Sequence, residues 1–457
     1  MDLRSKLLRL AGLPAPGRSV RAAVPFTSAL QERGDVGEEL APGFVDGSLP
    51  PASARAACQG EPAAAPSVDR AQMLTELRRK MAEVMGRELA PVVRAEPSET
   101  LLPFLREERP EGVLYRRLER LPASHHVGRM PVDSAAGASA ELLALLALDP
   151  SLSSCRFERA LYLDTETTGL GTGSGILPFL VGLCWFDAEG RPHLEQLLLR
   201  RPGDERAMLA RLRECVEAAD VLVTYNGKTF DCPLLSARCV MNRVPPLPVR
   251  PHLDLLHVAR RLHRARLGQC RLISLESGVL GFGRGPDVEG ADVAARYAHF
   301  LRTGDEASLE AVVTHNAWDV LSMAALVGLY GEPIDLLHSQ DLVGLARTLQ
   351  RAGALERADA VVTTAVERGG GTSARRLRGD IAKARGDRAR ALVEFEALAP
   401  DLDDPKLRLE LAKLYEHFVK APLRALEVVA LGTGETEEAL ARRSARLKRK
   451  AQTRPTR

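Results

Sequence analysis

Leu161-Tyr162-Leu163-Asp164-Thr165-Glu166-Thr167-Thr168-Gly169-Leu170 is the stretch whose reading decides the fold. Its apolar start predicts a strand. Side chains alternate along a strand, so Asp164 and Glu166, two residues apart, point to one face. Carboxylates paired in that way grip a hard divalent cation, which prefers oxygen ligands and keeps positions open for water and phosphate. The competing reading is an edge strand with two solvated acids, because D-x-E is a short pattern that recurs by chance.

The order of elements downstream separates the two readings. A glycine-rich turn at 169–175 leads to an apolar strand at 176–186 and another at 193–199, a meander of three strands joined by short turns. Pro202-Gly203-Asp204-Glu205 opens a helix that runs to about Ala219. It is followed by the strand Val221-Leu222-Val223-Thr224-Tyr225, a helix from Pro233, a short strand near His252-Leu253-Asp254, and further helices. In Thr224-Tyr225-Asn226-Gly227-Lys228-Thr229-Phe230-Asp231 a strand delivers Asn226, and Asp231 sits at the next helix start. There its carboxylate either caps backbone amides or points into the cleft of Asp164. His315-Asn316-Ala317-Trp318-Asp319 lies in a helix expected over 307–330. Its i, i+4 spacing sets His315 beside Asp319, while Val312, Leu321 and Leu326 take the core. Taken alone, that pair also reads as a surface salt bridge. Phe230 is expected to pack under the sheet, Trp318 to face away from His315 and Asp319, and Asp254 to act at a strand end or helix cap.

In order, these three segments resemble the DEDD exonuclease superfamily, the proofreading-type 3′ to 5′ exonucleases with a ribonuclease H-like fold. Motif I is matched by Asp164 through Gly169, motif II by Asn226 through Phe230-Asp231, and motif III by His315 through Asp319. More narrowly, Phe179-Leu180-Val181-Gly182-Leu183, Tyr225 through Asp231, Leu253-Asp254-Leu255-Leu256-His257, Leu301-Arg302-Thr303-Gly304-Asp305 and His315-Asn316 through Asp319-Val320 look like the YprB-like (MrfB-like) bacterial exonucleases. Such proteins pair the nuclease domain with tetratricopeptide repeats. The match covers roughly residues 155–330. One departure is plain: the histidine-type subgroup places its His five residues before the last Asp, whereas His315 stands four before Asp319, the tyrosine-type spacing.

The resemblance implies an α/β ribonuclease H-like fold, a mixed sheet flanked by helices, followed by an all-α helical-repeat domain. It implies a catalytic set of Asp164, Glu166, Asp231, His315 and Asp319. Two divalent cations, Mg²⁺ or Mn²⁺, would be held by Asp164, Glu166, Asp231 and Asp319, with His315 suited to take a proton from water. It also implies a nucleic-acid substrate, DNA favoured over RNA, a repair setting and a helicase partner. Thr165, Asn226, Lys228, Arg260 and Arg264 are the expected substrate contacts. Lys228 lies in the motif II turn, and Arg260, Arg261, His263, Arg264, Arg266 and Arg271 crowd one basic segment. A solvated helix face in an arginine-rich chain is the alternative for that segment. Two other functions stand beside the exonuclease: a non-catalytic scaffold that recruits partners through its repeats, and a structure-specific endonuclease of the same fold.

At 457 residues, 45% hydrophobic but only 4% aromatic, the chain affords a large aliphatic core and more than one folded unit. Its 63 Lys and Arg against 60 Asp and Glu leave a net charge of +3, so any attraction for a polyanion must be local. Seven scattered cysteines with no C-x-x-C pair point to reduced thiols rather than a disulfide framework or zinc site. No run of about 18 apolar residues is read and no signal peptide is recognised, so a cytoplasmic protein is expected. Residues 1–70, rich in Ala, Pro, Gly and Ser, read as a flexible leader. Within 71–154, residues 72–89 have helical spacing, and extended segments are expected to pack on a nuclease domain at 155–332. From 333 to 440, Gly353-Ala354-Leu355-Glu356-Arg357-Ala358, Gly386-Asp387-Arg388-Ala389-Arg390-Ala391 and Lys420-Ala421-Pro422-Leu423-Arg424-Ala425 recur at tetratricopeptide spacing. Residues 441–457 read as a frayed basic tail.

Overall fold

The structure, a computed structural model, describes residues 102–169, 175–285, 287–288, 290–331 and 336–453. The expected leader and the helix at 72–89 lie outside these residues. Nine strands form among the described residues: β1 (Leu105–Arg109), β2 (Gly112–Arg120), β3 (His126–Val127), β4 (Met130–Pro131), β5 (Ala160–Thr167), β6 (Pro178–Phe186), β7 (Pro192–Leu198), β8 (Val221–Thr224) and β9 (His252–Asp254). Seven build one sheet in the order β1-β2-β7-β6-β5-β8-β9, while β3 and β4 make a separate ribbon. β5, β6 and β7 are antiparallel, as short turns require, and β8 and β9 run parallel to β5. β7 already runs parallel to β5, and helix α2, introduced below, is the crossover that carries the chain from β7 to β8 in that direction. β1 and β2, read from the sequence as pieces lying against the domain, extend the same sheet: β2 pairs with β7 and β1 with β2. Tyr115 through Arg120 oppose Leu198 through His193.

The helices of this region are α1 (Ala140–Ala147), α2 (Glu205–Ala218), α3 (Asp231–Met241), α4 (Leu255–Leu267), α5 (Gly290–Thr303) and α6 (Ala307–Gly331). β6 is apolar along nearly its whole length because helices cover both faces of the sheet. On one face Leu163, Leu183 and Val181 pack with Leu209 and Leu212 of α2. The fully buried Glu195 is satisfied there by Arg116 and Arg211. On the other face Tyr162, Cys184 and Leu194 pack with the second half of α6, where every residue from Val320 to Gly331 is buried. By length and composition α6 is apolar enough to span a bilayer, a run that the sequence reading did not register. Yet 78% of its most apolar window is buried within the protein, so it is the central core helix.

Beyond α6 the chain is all helix: α7 (Ser339–Arg351), α8 (Leu355–Glu367), α9 (Gly371–Arg385), α10 (Arg388–Leu398), α11 (Pro405–Leu414), α12 (Pro422–Ala430) and α13 (Glu437–Gln452). The bends inside three successive hairpins fall at Gly353, Gly386 and Lys420, each with positive φ, at 81°, 89° and 61°. Glycine adopts that conformation without a Cβ clash, and Lys420 adopts it at a cost of about 1 kcal/mol. After each bend a fully buried alanine, Ala358, Ala391 or Ala425, brings the second helix close to its neighbours. Residues 441–453 are not frayed. Within α13, Leu447 is fully buried, and Arg446 and Lys450 reach the buried Glu416 at 2.6–2.8 Å. Those partners lie thirty and more residues away, beyond the reach of a local reading.

The first hairpin docks on the sheet domain through α4. A Cβ on Gly344 would stand 2.5 Å from the carbonyl oxygen of Leu262, so only glycine permits this helix crossing. Beside it the buried Asp341 accepts Arg266 at 2.7–3.0 Å and lies 3.1 Å from His263, which also meets the Tyr330 hydroxyl at 2.9 Å.

Candidate active site

Asp164 and Glu166 project from β5 toward α6, which carries His315 and Asp319 one turn apart on the facing side. Asp231 begins α3. Its Oδ1 accepts a hydrogen bond from the hydroxyl of Thr165. Thr165, one of the expected substrate contacts, thus meets Asp231 directly. The turn before α3 is held by Asp254. One oxygen of Asp254 accepts from the amides of Asn226 (2.8 Å) and Leu256 (3.1 Å), the other from that of Lys228 (3.2 Å). Asp254 thus caps α4, as its position predicts, and also ties the Asn226 turn to that helix. Asn226 itself has φ 67°, a left-handed conformation that asparagine tolerates well.

The acids from three distant segments feel one another. Burial, then the charges of Asp319, Asp231 and Glu166, drive the Asp164 carboxyl well above its usual range, against a hydrogen bond from Asn316. Burial together with Asp319 and Asp231 pushes Glu166 up to about 7, although His315 and Arg284 pull it down. Burial also raises Asp231, opposed by the Thr165 hydrogen bond. Burial works to lower His315, but the surrounding carboxylates, Asp319 first and then Asp287 and Glu166, outweigh it and raise its pKa. Buried, clustered carboxylates are the oxygen donor set that a divalent cation satisfies. Ligand atoms of Glu166, His315 and Asp319 lie within 4.8 Å of one another, so these residues fit a metal ion. His315 thereby joins the candidate ligands, a role the sequence reading did not give it. Asp164 and Asp231 flank the trio.

Arg284 is the unforeseen member. Its side chain is 3% exposed and donates to both oxygens of the buried Glu276 at 2.6 Å, to Asp287 at 3.2 Å and to Asp319. Asp287 also meets Nδ1 of His315 at 2.6 Å, which leaves Nε2, 3.5 Å from Asp319, facing the cluster. The Arg284 guanidinium lies over Trp318, 5.7 Å from the ring centroid, and Phe282 packs edge-on to that ring. Trp318 does pack, as expected, but against the site. The only sequence sign of this group is an arginine between glycines, Gly283-Arg284-Gly285, with acids on either side.

The expected basic patch divides. Lys228, Arg260 and Arg264 are exposed and make no ion pair among the described residues, as does Arg271. Arg261, His263 and Arg266 are instead consumed inside the protein: Arg261 donates to the Leu146 carbonyl at 2.7 and 3.1 Å, and the other two belong to the Asp341 cluster. Helical spacing explains the split, since α4 turns one side to α1 and α7 and the other to solvent. Phe230 corrects a second expectation. It is 45% exposed rather than packed under the sheet, because the turn ahead of α3 carries it out beside Asp231.

Residues 161–330 match a family model, RNase_H_2, of the RNase_H superfamily. With the sheet order described above, this makes the segment a ribonuclease H-like domain. A similar protein is the "Uncharacterized protein YprB" of Bacillus subtilis (strain 168), 40% identical over 167 residues, 36% of this chain and 40% of that protein. The chain thus covers less than half of that relative's length. Among solved structures, the family B DNA polymerase from the hyperthermophilic archaeon Pyrobaculum calidifontis aligns with a TM-score of 0.29 and 18% identity, over 42% of this chain and 29% of the polymerase chain.

Proposed function

We propose that this protein is a metal-dependent 3′ to 5′ exonuclease that hydrolyses phosphodiester bonds at nucleic-acid ends, on DNA in a repair setting. The single observation that carries the reading is geometric: ligand atoms of Glu166, His315 and Asp319 lie within 4.8 Å of one another, beside Asp164, whose carboxyl is raised by burial and by the charges of Asp319, Asp231 and Glu166. Asp164, Glu166, Asp231 and Asp319 would hold Mg²⁺ or Mn²⁺, with His315 close enough to share in the coordination. Two such ions, when bound, supply the positive charge that clamps the attacking and leaving oxygens of a phosphodiester.

The chain's own residues do the rest. Nδ1 of His315 is engaged by Asp287 at 2.6 Å and Arg284 at 3.1 Å, so the ring nitrogen placed to exchange a proton with the cleft is Nε2. Lys228, Arg260 and Arg264 offer exposed positive charge to the phosphate backbone, and Phe230 offers an aromatic face on which a base can stack. The helical hairpins, repeating at tetratricopeptide spacing, serve as a platform for a protein partner, and a helicase is the partner that the YprB resemblance favours.

The test is cleavage of end-labelled single- and double-stranded DNA and RNA with Mg²⁺ or Mn²⁺ and with chelator. A ladder of mononucleotide release is expected, lost in chelator and in Asp164→Asn and lowered roughly 10²- to 10⁴-fold by His315→Ala. Internal cuts in a circular substrate would favour the endonuclease. Binding without any cleavage would favour the scaffold.

A further inference from the structure

One transverse row of the sheet runs Arg117 (β2), Gln196 (β7), Gly182 (β6), Asp164 (β5), each directly opposite the next. Side chains in such a row share a face. Three of the four positions carry polar side chains and the third carries none. The space above Gly182 is filled from α6 by Asn316: a Cβ on residue 182 would stand 2.2 Å from Asn316 Oδ1. Both Gln196 and Asn316 are fully buried.

We propose that Arg117, Gln196 and Asn316 form a positioning relay that fixes the orientation of the Asp164 carboxylate for metal binding, an inference that rests on the metal-dependent reading above. The hydrogen-bond directions follow from one another. The Val313 carbonyl is only an acceptor, so the Gln196 group 2.8 Å from it is the Nε2 amide. Gln196 Oε1 then faces Arg117, which donates to it at 3.1 Å. The second Nε2 hydrogen points to Asn316, 3.0 Å away, and so requires its Oδ1 there. Asn316 Nδ2 is thereby forced toward Asp164, donating to Oδ2 at 3.0 Å. One oxygen of Asp164 is held by an amide whose direction is dictated from the far side of the sheet, and the other is left free for a cation. A bare buried carboxylate would have no such preference. None of the three relay residues touches substrate or cation, so each acts through Asp164 alone.

The experiment measures Mn²⁺ binding to the full chain by calorimetry without nucleic acid, beside the melting temperature and the kcat and KM of cleavage. Gln196→Met keeps the length and removes the donor; Asn316→Leu keeps the branched shape and removes the donor without adding charge beside Asp164. Outer-shell partners of metal ligands contribute about 10- to 100-fold, so Mn²⁺ affinity should fall about 10-fold or more in both variants. kcat should fall with it and the KM for nucleic acid should hold. Should Gln196→Met fail to fold, Asn316→Ser, which replaces the amide by a shorter hydroxyl out of reach of Asp164, is read in the same way. Mn²⁺ affinity and kcat within twofold of wild type in folded variants would overturn the relay, as would a wild type that binds no Mn²⁺. Because binding is read without substrate, a wild type that binds Mn²⁺ but cleaves nothing would sink the nuclease reading while leaving the relay testable.

Discussion

Glu166→Gln removes a proposed metal ligand and is expected to stabilise the metal-free protein. Burial and the neighbouring Asp319 and Asp231 push Glu166 up to about 7, against an ordinary value of 4.5. A carboxyl that holds its proton more tightly when folded weakens the fold as pH rises past the unfolded value, and the penalty is complete above the folded one. Between 4.5 and about 7, at 1.36 kcal/mol per pH unit, the penalty amounts to roughly 3 kcal/mol at pH 8. Glutamine has the same shape and no charge to desolvate. Over roughly 340 described residues, an unfolding entropy of about 2.1 cal/mol/K per residue converts this to a rise of roughly 4 °C in Tm. The assay is thermal unfolding in chelator from pH 4 to 8. The gain should be largest at pH 7 to 8 and fade toward pH 4, below the unfolded value of 4.5, where the carboxyl is mostly protonated in both states. Saturating Mn²⁺ should reverse the order, because the ion stabilises only the protein that binds it. An unchanged or lower Tm for a natively folded Glu166→Gln at pH 8 in chelator would refute the charge crowding on which the metal site is argued.

Replacing Lys228, Arg260 or Arg264 by alanine should weaken nucleic-acid binding and flatten its dependence on salt by a log–log slope of about 1 each, read by fluorescence anisotropy across a salt series. Arg266→Ala should instead lower stability without changing the salt slope, because its partner is the buried Asp341. Phe230→Ala should reduce single-strand affinity by roughly 1–3 kcal/mol in the same assay and leave Tm nearly unchanged, since the ring is already 45% exposed. At the other end of the chain, the Arg446 hydrogen bond first, with Lys450, Arg446 and His417 adding to it against burial, holds Glu416 down to about 2. A depressed carboxyl stabilises the fold above its unfolded value and loses that contribution as pH falls toward the folded one. The last hairpin should therefore weaken between pH 4.5 and 2. With the partly exposed Arg446 and Lys450 screened by solvent, the contribution is roughly 2 kcal/mol. Glu416→Gln should flatten the acid limb of a circular-dichroism titration, and an unaltered limb would count against this ion cluster.

What the sequence determined by itself is what local periodicity encodes. Alternation along β5 sets Asp164 and Glu166 on one face, and the helical repeat sets His315 beside Asp319. The run of short turns makes β5, β6 and β7 a meander, and the 33- and 34-residue spacing of Gly353, Gly386 and Lys420 marks the hairpin bends. Each of these depends on neighbours a few residues away. Only the tertiary structure decided which polar groups meet. Asn316 reaches Asp164 across 152 positions of sequence, and Arg284 enters the acid cluster from a turn whose composition says nothing of its destination. The same limit explains the misread elements. β1 and β2 join the sheet through β7, Arg261 and Arg266 are absorbed by distant partners, Phe230 is lifted out by its turn, and α13 is tied down by Glu416. Burial, hydrogen-bond partners and charge environment arise from packing between segments, and spacing along the chain carries no record of them.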